Sequence, residues 1–190
     1  MIGVFDDTDS KSDLNFNKNY GGQISISGTN MDLFLSFLGG NQGEDSLNIK
    51  GYHFDLTATY QLTEKFMLGA NTSYKITSYE TDEQTGNKQD NDIMFGTAVY
   101  ANYWLNRNVG IGLRGQYFSD PEAVYIFDTD QFPGGGSVLE FTFSANLKSG
   151  PLTFIPEFRI DKASGQIFTD KEGNPDDMAT SLLAAVYITF

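Results

Sequence analysis

The sequence predicts an all-β protein, an antiparallel up-and-down transmembrane β-barrel of about ten strands. Apolar and polar residues alternate along each candidate strand, and short turns alternate with long polar loops. The last strand shows the pattern clearly. One of its faces carries Leu182, Ala184, Val186, Ile188 and Phe190, and the other carries Ser181, Leu183, Ala185, Tyr187 and Thr189.

Length and composition fit one barrel domain over residues 1–190. The hydrophobic content of 39% and the mean hydropathy of -0.32 are those expected when only every second strand residue meets lipid. No run of about 18 apolar residues occurs, which excludes a helical membrane span. The chain has no cysteine, which excludes disulfides and thiol chemistry.

The formal net charge of -13 argues against a nucleic-acid partner, because phosphate binding needs basic clusters. At the start of the chain, Met1–Phe5 is followed at once by Asp6, without the basic segment and apolar core of a signal peptide. An outer-membrane protein must be exported. We therefore expect the chain to be a mature form, an engineered form or a piece of something longer.

The alternating pattern predicts ten candidate strands, whose lengths and order are those of a barrel. The first is short and weak, and the others are long enough to cross the hydrocarbon at a tilt. Their approximate ranges are 1–7, 19–28, 31–40, 51–62, 65–78, 92–105, 108–119, 137–148, 151–163 and 179–190. Pro156 is unusual inside a strand, because proline cannot donate a ladder hydrogen bond.

The connections fall into two classes. Short links carry turn residues at 29–30, 63–64, 106–107 and 149–150. Long links are rich in Asp, Glu, Asn, Gly and Ser and lie near 8–18, 41–50, 79–91, 120–136 and 164–178. Strict alternation of the two classes puts every long loop on one side of the sheet and both termini on the other, as in outer-membrane barrels.

The alternation also predicts one apolar and one polar face. The polar face carries charges that a dry core would bury at a high desolvation cost, whereas a wet lumen carries them easily. It collects Asp55, Thr57, Thr59, Asn71, Ser73, Lys75, Arg114, Gln116, Glu140, Thr142, Ser144, Asn146, Glu157, Arg159 and Asp161. We therefore expect the apolar face to meet lipid, with tyrosines near the strand ends as an interfacial girdle, although tyrosine also favours strands in general.

Two stretches carry a family resemblance: Gly110–Asp120 (GIGLRGQYFSD), and Phe154–Lys162 (FIPEFRIDK) followed by the terminal YITF. Over about 100–190 they resemble the C-terminal half of the beta-barrel porin-2 family of Gram-negative bacteria. That family has an Arg-x-x-Tyr-Phe-x-Asp strand, a Pro-Glu-x-Arg-x-Asp strand and a terminal Phe strand in this order. Family members are much longer, so the chain resembles either the trailing part of a larger barrel or a shortened member.

The resemblance implies a porin in the bacterial outer membrane, with the lipid bilayer and small solutes or ions as partners. It also implies that the barrel-assembly machinery reads the C-terminal strand, with Phe190 as the assembly signal. No cofactor is implied.

The charged lumen residues are the candidate functional residues. We expect Arg114, Glu140, Glu157, Arg159 and Asp161 to form a charged ladder on neighbouring strands, and Lys75 and Asp55 to join the lumen lining. Such a ladder either sets which ions or solutes pass or fills a narrow barrel as a rigid, salt-bridged plug. In the second case the acidic loops would give the protein a structural or surface-binding role.

Loop 120–136 contains apolar residues in a polar setting. Phe127, Phe132 and the Pro133–Gly136 run would let it fold inward as a constriction. The acidic positions of the last loop, Asp170, Glu172, Asn174 and Asp176, have oxygen ligands at every second position, but a solvated acidic loop fits them better than a calcium site.

Catalysis and metal binding have little support. The one histidine, His53, lies two residues before Asp55 on the same face, a pair that is usually structural. No serine elbow, metal-spaced histidine cluster or phosphate loop occurs. The sequence therefore predicts neither an enzyme nor a metal site.

Overall fold

A computed structural model describes residues 1–6, 16–42, 49–79 and 91–190. Ten strands form one antiparallel sheet in which neighbours in sequence pair, except that the ninth strand of the sheet pairs with the last. They are β1 (Ile2–Phe5), β2 (Asn19–Ser27), β3 (Met31–Gln42), β4 (Ile49–Thr63), β5 (Phe66–Ser78), β6 (Asp92–Trp104), β7 (Val109–Asp120), β8 (Gly136–Ser149), β9 (Leu152–Ala163) and β12 (Met178–Ile188). The up-and-down arrangement of about ten strands is confirmed.

The strand register keeps the apolar and polar sets on opposite faces. Residues directly opposite each other in a ladder point to the same side of the sheet. One row of the apolar face runs through Leu33, Ala58, Ala70, Val99, Gly115, Phe141 and Ile160. One row of the polar face runs through Thr57, Asn71, Ala98, Gln116, Glu140 and Asp161. These two surfaces are called the apolar face and the polar face below.

Burial is the reverse of that in a soluble barrel. On the polar face, Glu140 is 2% exposed, whereas Phe141 on the apolar face is 64% exposed. The apolar face also exposes tyrosines toward both ends of the strands, with Tyr52, Tyr74 and Tyr117 toward the long loops and Tyr60 and Tyr103 toward the short turns. A lipid-facing apolar surface with an aromatic residue at each interface explains this distribution.

Short turns close the hairpins at one end of the sheet through side-chain hydrogen bonds. The Thr63 hydroxyl accepts the backbone N–H of Phe66 at 3.1 Å, and the Asn106 side-chain oxygen accepts that of Val109 at 3.0 Å. Gly150 has a φ of 59°, a left-handed conformation that glycine adopts easily. At the other end, the predicted long links near 8–18, 41–50 and 79–91 fall largely outside the described residues.

Two features of the last strands depart from regular pairing; the first was not predicted, whereas Pro156 had indicated the second. A small antiparallel hairpin forms in the loop after β9, from β10 (Phe168–Thr169) and β11 (Pro175–Asp176). The ladder between β8 and β9 is interrupted between the Ser144–Glu157 and Leu147–Phe154 pairs, beside Pro156. Pro156 still lies opposite Ala184 of β12. The missing proline N–H explains why the ladder breaks at this point.

The sheet is open between its first and last strands. β1 pairs over four residues with β2, and β12 pairs from Met178 to Ile188 with β9. The two strands are the ends of the sheet order and do not pair with each other. No helix among the described residues is long and apolar enough to cross a membrane.

Candidate lumen site

Three neighbouring strands bring the charged residues of the polar face together. The ladders of β7, β8 and β9 place Gln116, Glu140 and Asp161 in one row, and Arg114, Thr142 and Arg159 in the next row toward the short turns. Because the rows are adjacent on one face, the long arginine side chains reach the carboxylates diagonally. Arg114, Glu140, Arg159 and Asp161 are called the charged cluster below.

Glu140 is the centre of the charged cluster. Its Oε1 lies 3.0 Å from Nη1 of Arg114, and its Oε2 lies 3.2 Å from Nη2 of Arg159. The Thr142 hydroxyl donates a further hydrogen bond to Oε1 at 2.8 Å. A buried carboxylate needs this full set of donors, because each unmet oxygen would carry a large desolvation cost.

The two arginines have further partners within the same face. Arg159 forms a two-pronged pair with Asp161, through Nε at 2.8 Å to Oδ2 and Nη2 at 2.7 Å to Oδ1. Arg114 also donates to the side-chain oxygen of Gln116. Two-pronged pairs fix a guanidinium more firmly than a single contact does. The charged cluster is therefore held as a fixed unit against the wall.

The other predicted lumen residues lie apart from the charged cluster. Glu157 is on the polar face one row further toward the short turns, opposite Ser144. Asp55 is on β4, where it accepts hydrogen bonds from the Asn71 amide at 2.9 Å and the Thr57 hydroxyl at 3.3 Å. The Lys75 ammonium on β5 lies 5.3 Å from the Tyr125 ring centroid. The predicted lumen residues thus share one face. Four of them form the charged cluster, and Glu157, Asp55 and Lys75 lie at separate positions.

His53 and Ser73 are the nearest approach to a catalytic pair on this face. His53 Nε2 lies 2.5 Å from the Ser73 hydroxyl oxygen. A serine nucleophile also needs its histidine to be oriented by a third group. Asp55 lies opposite Ser73, but its carboxylate oxygens bond with Asn71 and Thr57. The His53–Ser73 contact is therefore a hydrogen bond between two side chains of the polar face, without the third group that a catalytic triad needs.

The segment between β7 and β8, residues 121–135, is anchored by Asp120, a residue that the sequence reasoning missed. Asp120 is 0% exposed. Its carboxylate accepts the backbone N–H groups of Val124, Tyr125, Ile126 and Phe127 at 2.9–3.2 Å. A carboxylate ringed by backbone donors closes the loop tightly at the end of β7. An Asp directly before Pro121 was the available signal.

This segment, loop 121–135, lies against the polar face. Phe127 is 4% exposed and packs with Ala123 and with Ala163 of β9, while Val138 of β8 packs against the same cluster. Phe132 meets Phe127 edge to face, with ring centroids 5.4 Å apart. Ala163 and Val138 are opposite each other on the polar face, so both predicted loop aromatics belong to a small core on that side.

The same loop also reaches β5 and β6. The Tyr125 hydroxyl lies 3.1 Å from the Thr77 hydroxyl, and Glu122 accepts the backbone N–H of Ile93 at 3.0 Å. Burial raises the pKa of the Tyr125 phenol, and the carboxylates of Asp92 and Asp120 raise this pKa further, so the phenol stays neutral. Loop 121–135 therefore crosses from β7–β9 to β5–β6 on the polar face.

Two aromatic rings of the polar face lie flat over glycines. A Cβ atom at Gly69 of β5 would overlap the Tyr100 ring of β6. A Cβ atom at Gly110 of β7 would lie 2.9 Å from the Trp104 ring, and the Lys148 ammonium lies 4.4 Å from the centroid of that ring. The absence of a side chain at Gly69 and Gly110 thus leaves room for rings that would otherwise project from the sheet.

Asp170 in the last loop accepts hydrogen bonds that stabilise the turn of that loop. Asp170 accepts the backbone N–H groups of Glu172 at 2.9 Å and Asn174 at 2.7 Å, and the Asn174 amide at 3.0 Å. The side-chain bond from Asn174 leads the contacts that lower the pKa of Asp170. Within the described part of the chain, no group of three or more His, Cys, Asp or Glu is placed to hold a metal ion.

The chain was compared with known proteins. The family model described as "Putative beta-barrel porin-2, OmpL-like" matches residues 1–190. The chain belongs to this family. The match spans the whole chain, and so extends beyond the C-terminal half in which the sequence motifs had suggested the resemblance. A search of curated proteins and a search of solved structures each gave no match.

Membership of the porin-2 family gives the chain its setting. The protein is an outer-membrane β-barrel of bacteria with a porin-like role, and its apolar face meets the lipid bilayer. The porin family suggests a non-enzymatic channel.

Proposed function

We propose that the protein is a passive pore for ions or small solutes, with a lumen lined by the charged cluster, Glu157, Lys75 and Asp55. The observation that carries the proposal is that Arg114 and Arg159, which pair with the buried Glu140, keep partly exposed guanidinium groups on the face turned away from lipid. Charges survive on such a face when water fills the space in front of them, because a dry interior would impose a heavy desolvation cost. These side chains would set which solutes pass.

We further propose that loop 121–135 is the constriction. The loop packs on β8 and β9 through Phe127 and bonds to β5 through Tyr125. A segment attached to both sides of the polar face reduces the cross-section available to a solute. The carboxylate of Asp120 holds the segment in this position.

Strand number makes the lumen narrow. Barrels of about eight strands are nearly filled by their own side chains, and those of about 16–18 strands leave an aqueous channel. With ten strands, this sheet is closer in size to the filled barrels than to those with an aqueous channel. The flat placement of Tyr100 over Gly69 and of Trp104 over Gly110 favours open space, because both rings follow the wall.

A plugged barrel is the second candidate, and loop 121–135 is the observation that favours it. If this loop and the charged cluster together fill the lumen, the protein has a structural or surface-binding role through its acidic loops. The barrel-assembly machinery is the proposed partner in either case. It would recognise β12 together with Phe190, the exposed last residue of the chain.

Conductance in a planar bilayer tests the pore. Purified protein folded in detergent is added to the bilayer, and heat-sensitive migration in electrophoresis serves as the control for a folded barrel. Steady ohmic steps support the pore. A silent bilayer from protein with the folded migration contradicts the pore and leaves the plugged barrel.

A further inference from the structure

We infer that the lumen selects cations, small inorganic cations or cationic solutes, over anions. The inference rests on the proposed pore and adds the sign of its selectivity. A wall that carries uncompensated carboxylates raises the local concentration of cations, and rings of Asp and Glu give cation channels their preference. The question is therefore which charges of the polar face are already neutralised by their neighbours.

The arginines are neutralised within the charged cluster. Arg114 contacts Glu140, and Arg159 contacts both Glu140 and Asp161, all at 3.2 Å or less. Two positive and two negative groups are thus combined at short range. Glu157, two residues before Arg159, lies on the same face in the adjacent row of the ladder. With Glu157 included, the surroundings of the two arginines are net negative.

On the same face, β4 carries a carboxylate with neutral partners. Asp55 is bonded by the Asn71 amide and the Thr57 hydroxyl, groups that orient the carboxylate without cancelling its charge. Asp32 of β3 lies on the same face, opposite Thr59. In the part of the chain that the structure describes, neither carboxylate forms an ion pair. A permeating ion therefore meets negative charge from β3–β4 as well as from β9.

The remaining cations of the polar face lie against aromatic rings. Lys75 lies 5.3 Å from the centroid of Tyr125, and Lys148 lies 4.4 Å from that of Trp104. They keep their charge but are held to the wall by cation–π contacts. Near Lys75, the constriction loop and its neighbours bring further carboxylates. These are Asp92, Asp120 and Glu122, so negative charges outnumber positive charges among the described residues of this face.

The reversal potential across a bilayer with a potassium chloride gradient tests the inference. We expect the sign that corresponds to potassium selectivity. Glu157→Gln is the main variant, because among the described residues no hydrogen bond or ion pair involves the Glu157 side chain. Asp55→Asn tests the carboxylate of β4. Each should lower the cation:anion permeability ratio about fivefold, the effect of one unit charge about 4 Å from the ion path in water.

Glu64→Gln is the matched control. Glu64 is exposed in the turn between β4 and β5, and its substitution changes the net charge equally but away from the polar face. The control should keep the wild-type ratio. A conducting pore with chloride selectivity, or with a ratio that Glu157→Gln and Asp55→Asn leave unchanged, would overturn the inference while the pore stands. A silent bilayer from folded protein would overturn both.

Discussion

Arg159 of β9 contacts Glu140 of β8 diagonally, with Nη2 3.2 Å from Oε2, although the residue directly opposite Arg159 in the ladder is Thr142. The guanidinium therefore spans two rows of the polar face. It bonds Asp161 on its own strand with the same nitrogen, at 2.7 Å. One side chain thus couples two carboxylates, and Arg114 completes the arrangement from β7.

Glu140→Gln should destabilise the folded barrel and shift its permeability toward anions, because both arginines lose their shared countercharge. Removing one partner of a buried pair costs about 3–5 kcal/mol. The arginine side chains are 43% and 38% exposed, so solvent screening reduces the expected loss to about 1–3 kcal/mol. Urea unfolding in detergent, followed by tryptophan fluorescence, measures the free energy, and a reversal potential measures the shift.

Thr142→Val is the control for the permeability shift, since it removes one hydrogen bond to Glu140 but no charge. It should cost about 1.5–3 kcal/mol of stability and leave the permeability ratio unchanged. Equal permeability shifts in the two variants would contradict the role of the Glu140 charge.

Asp120→Ala should release loop 121–135 from the polar face. The variant removes the acceptor of consecutive backbone N–H groups, and bonds of this kind to a charged acceptor are worth about 1.5–3 kcal/mol each. We expect protease cleavage within the loop and a larger single-channel conductance. Asp130→Ala removes an exposed carboxylate from the same loop and should leave both readouts unchanged. Unchanged conductance after cleavage would rule out the loop as the constriction.

Gly69→Ala should destabilise the barrel and lower its conductance, because the added Cβ forces the Tyr100 ring off the wall. Overpacking of this kind costs about 1–3 kcal/mol. Gly96→Ala is the matched control on the same face, where the nearest atom, of Phe118, would lie 3.8 Å from the new Cβ. Adding Tyr100→Ala to Gly69→Ala should restore stability. If Gly69→Ala and Gly96→Ala lower the free energy of unfolding equally, the Tyr100 ring does not lie over Gly69.

Phe190→Ala should lower the yield of barrel assembled in bacterial outer membranes but not the yield of barrel refolded in detergent. Phe190 lies beyond the last ladder pair and is fully exposed, so its removal takes little packing away from the folded sheet. Thr189→Ala is the control at the neighbouring position. Heat-sensitive migration of membrane fractions and of refolded protein measures both yields. Equal losses in the two settings would assign Phe190 to folding rather than to recognition.

The strands and their faces could be predicted because strand alternation is a local signal. Phe54, Leu56 and Ala58 alternate with Asp55 and Thr57, and one alternating strand fixes the faces of its partners through the ladder. Arg159 and Asp161 follow the same rule, since residues two apart on a strand share a face. Phe127 was conspicuous as an apolar residue in a polar loop, but its packing partners depend on how the loop folds.

The contacts that depend on loop shape or on register could not be predicted. Asp120 bonds N–H groups four to seven residues ahead, which converge on its carboxylate only when the loop has folded. Tyr100 covers Gly69 because the ladder of β5 and β6 sets them side by side, and nothing in either strand alone indicates it. The β10–β11 hairpin is too short to show alternation.

The charged cluster, Asp120 and loop 121–135 all lie within the three consecutive strands β7–β9, residues 109–163. Most of the loop's packing is onto these same strands, through Phe127, Val138 and Ala163. This segment is therefore a contiguous cassette that could be transplanted as one piece into a wider antiparallel barrel. There its charge pattern and its inward loop would line a lumen of larger diameter.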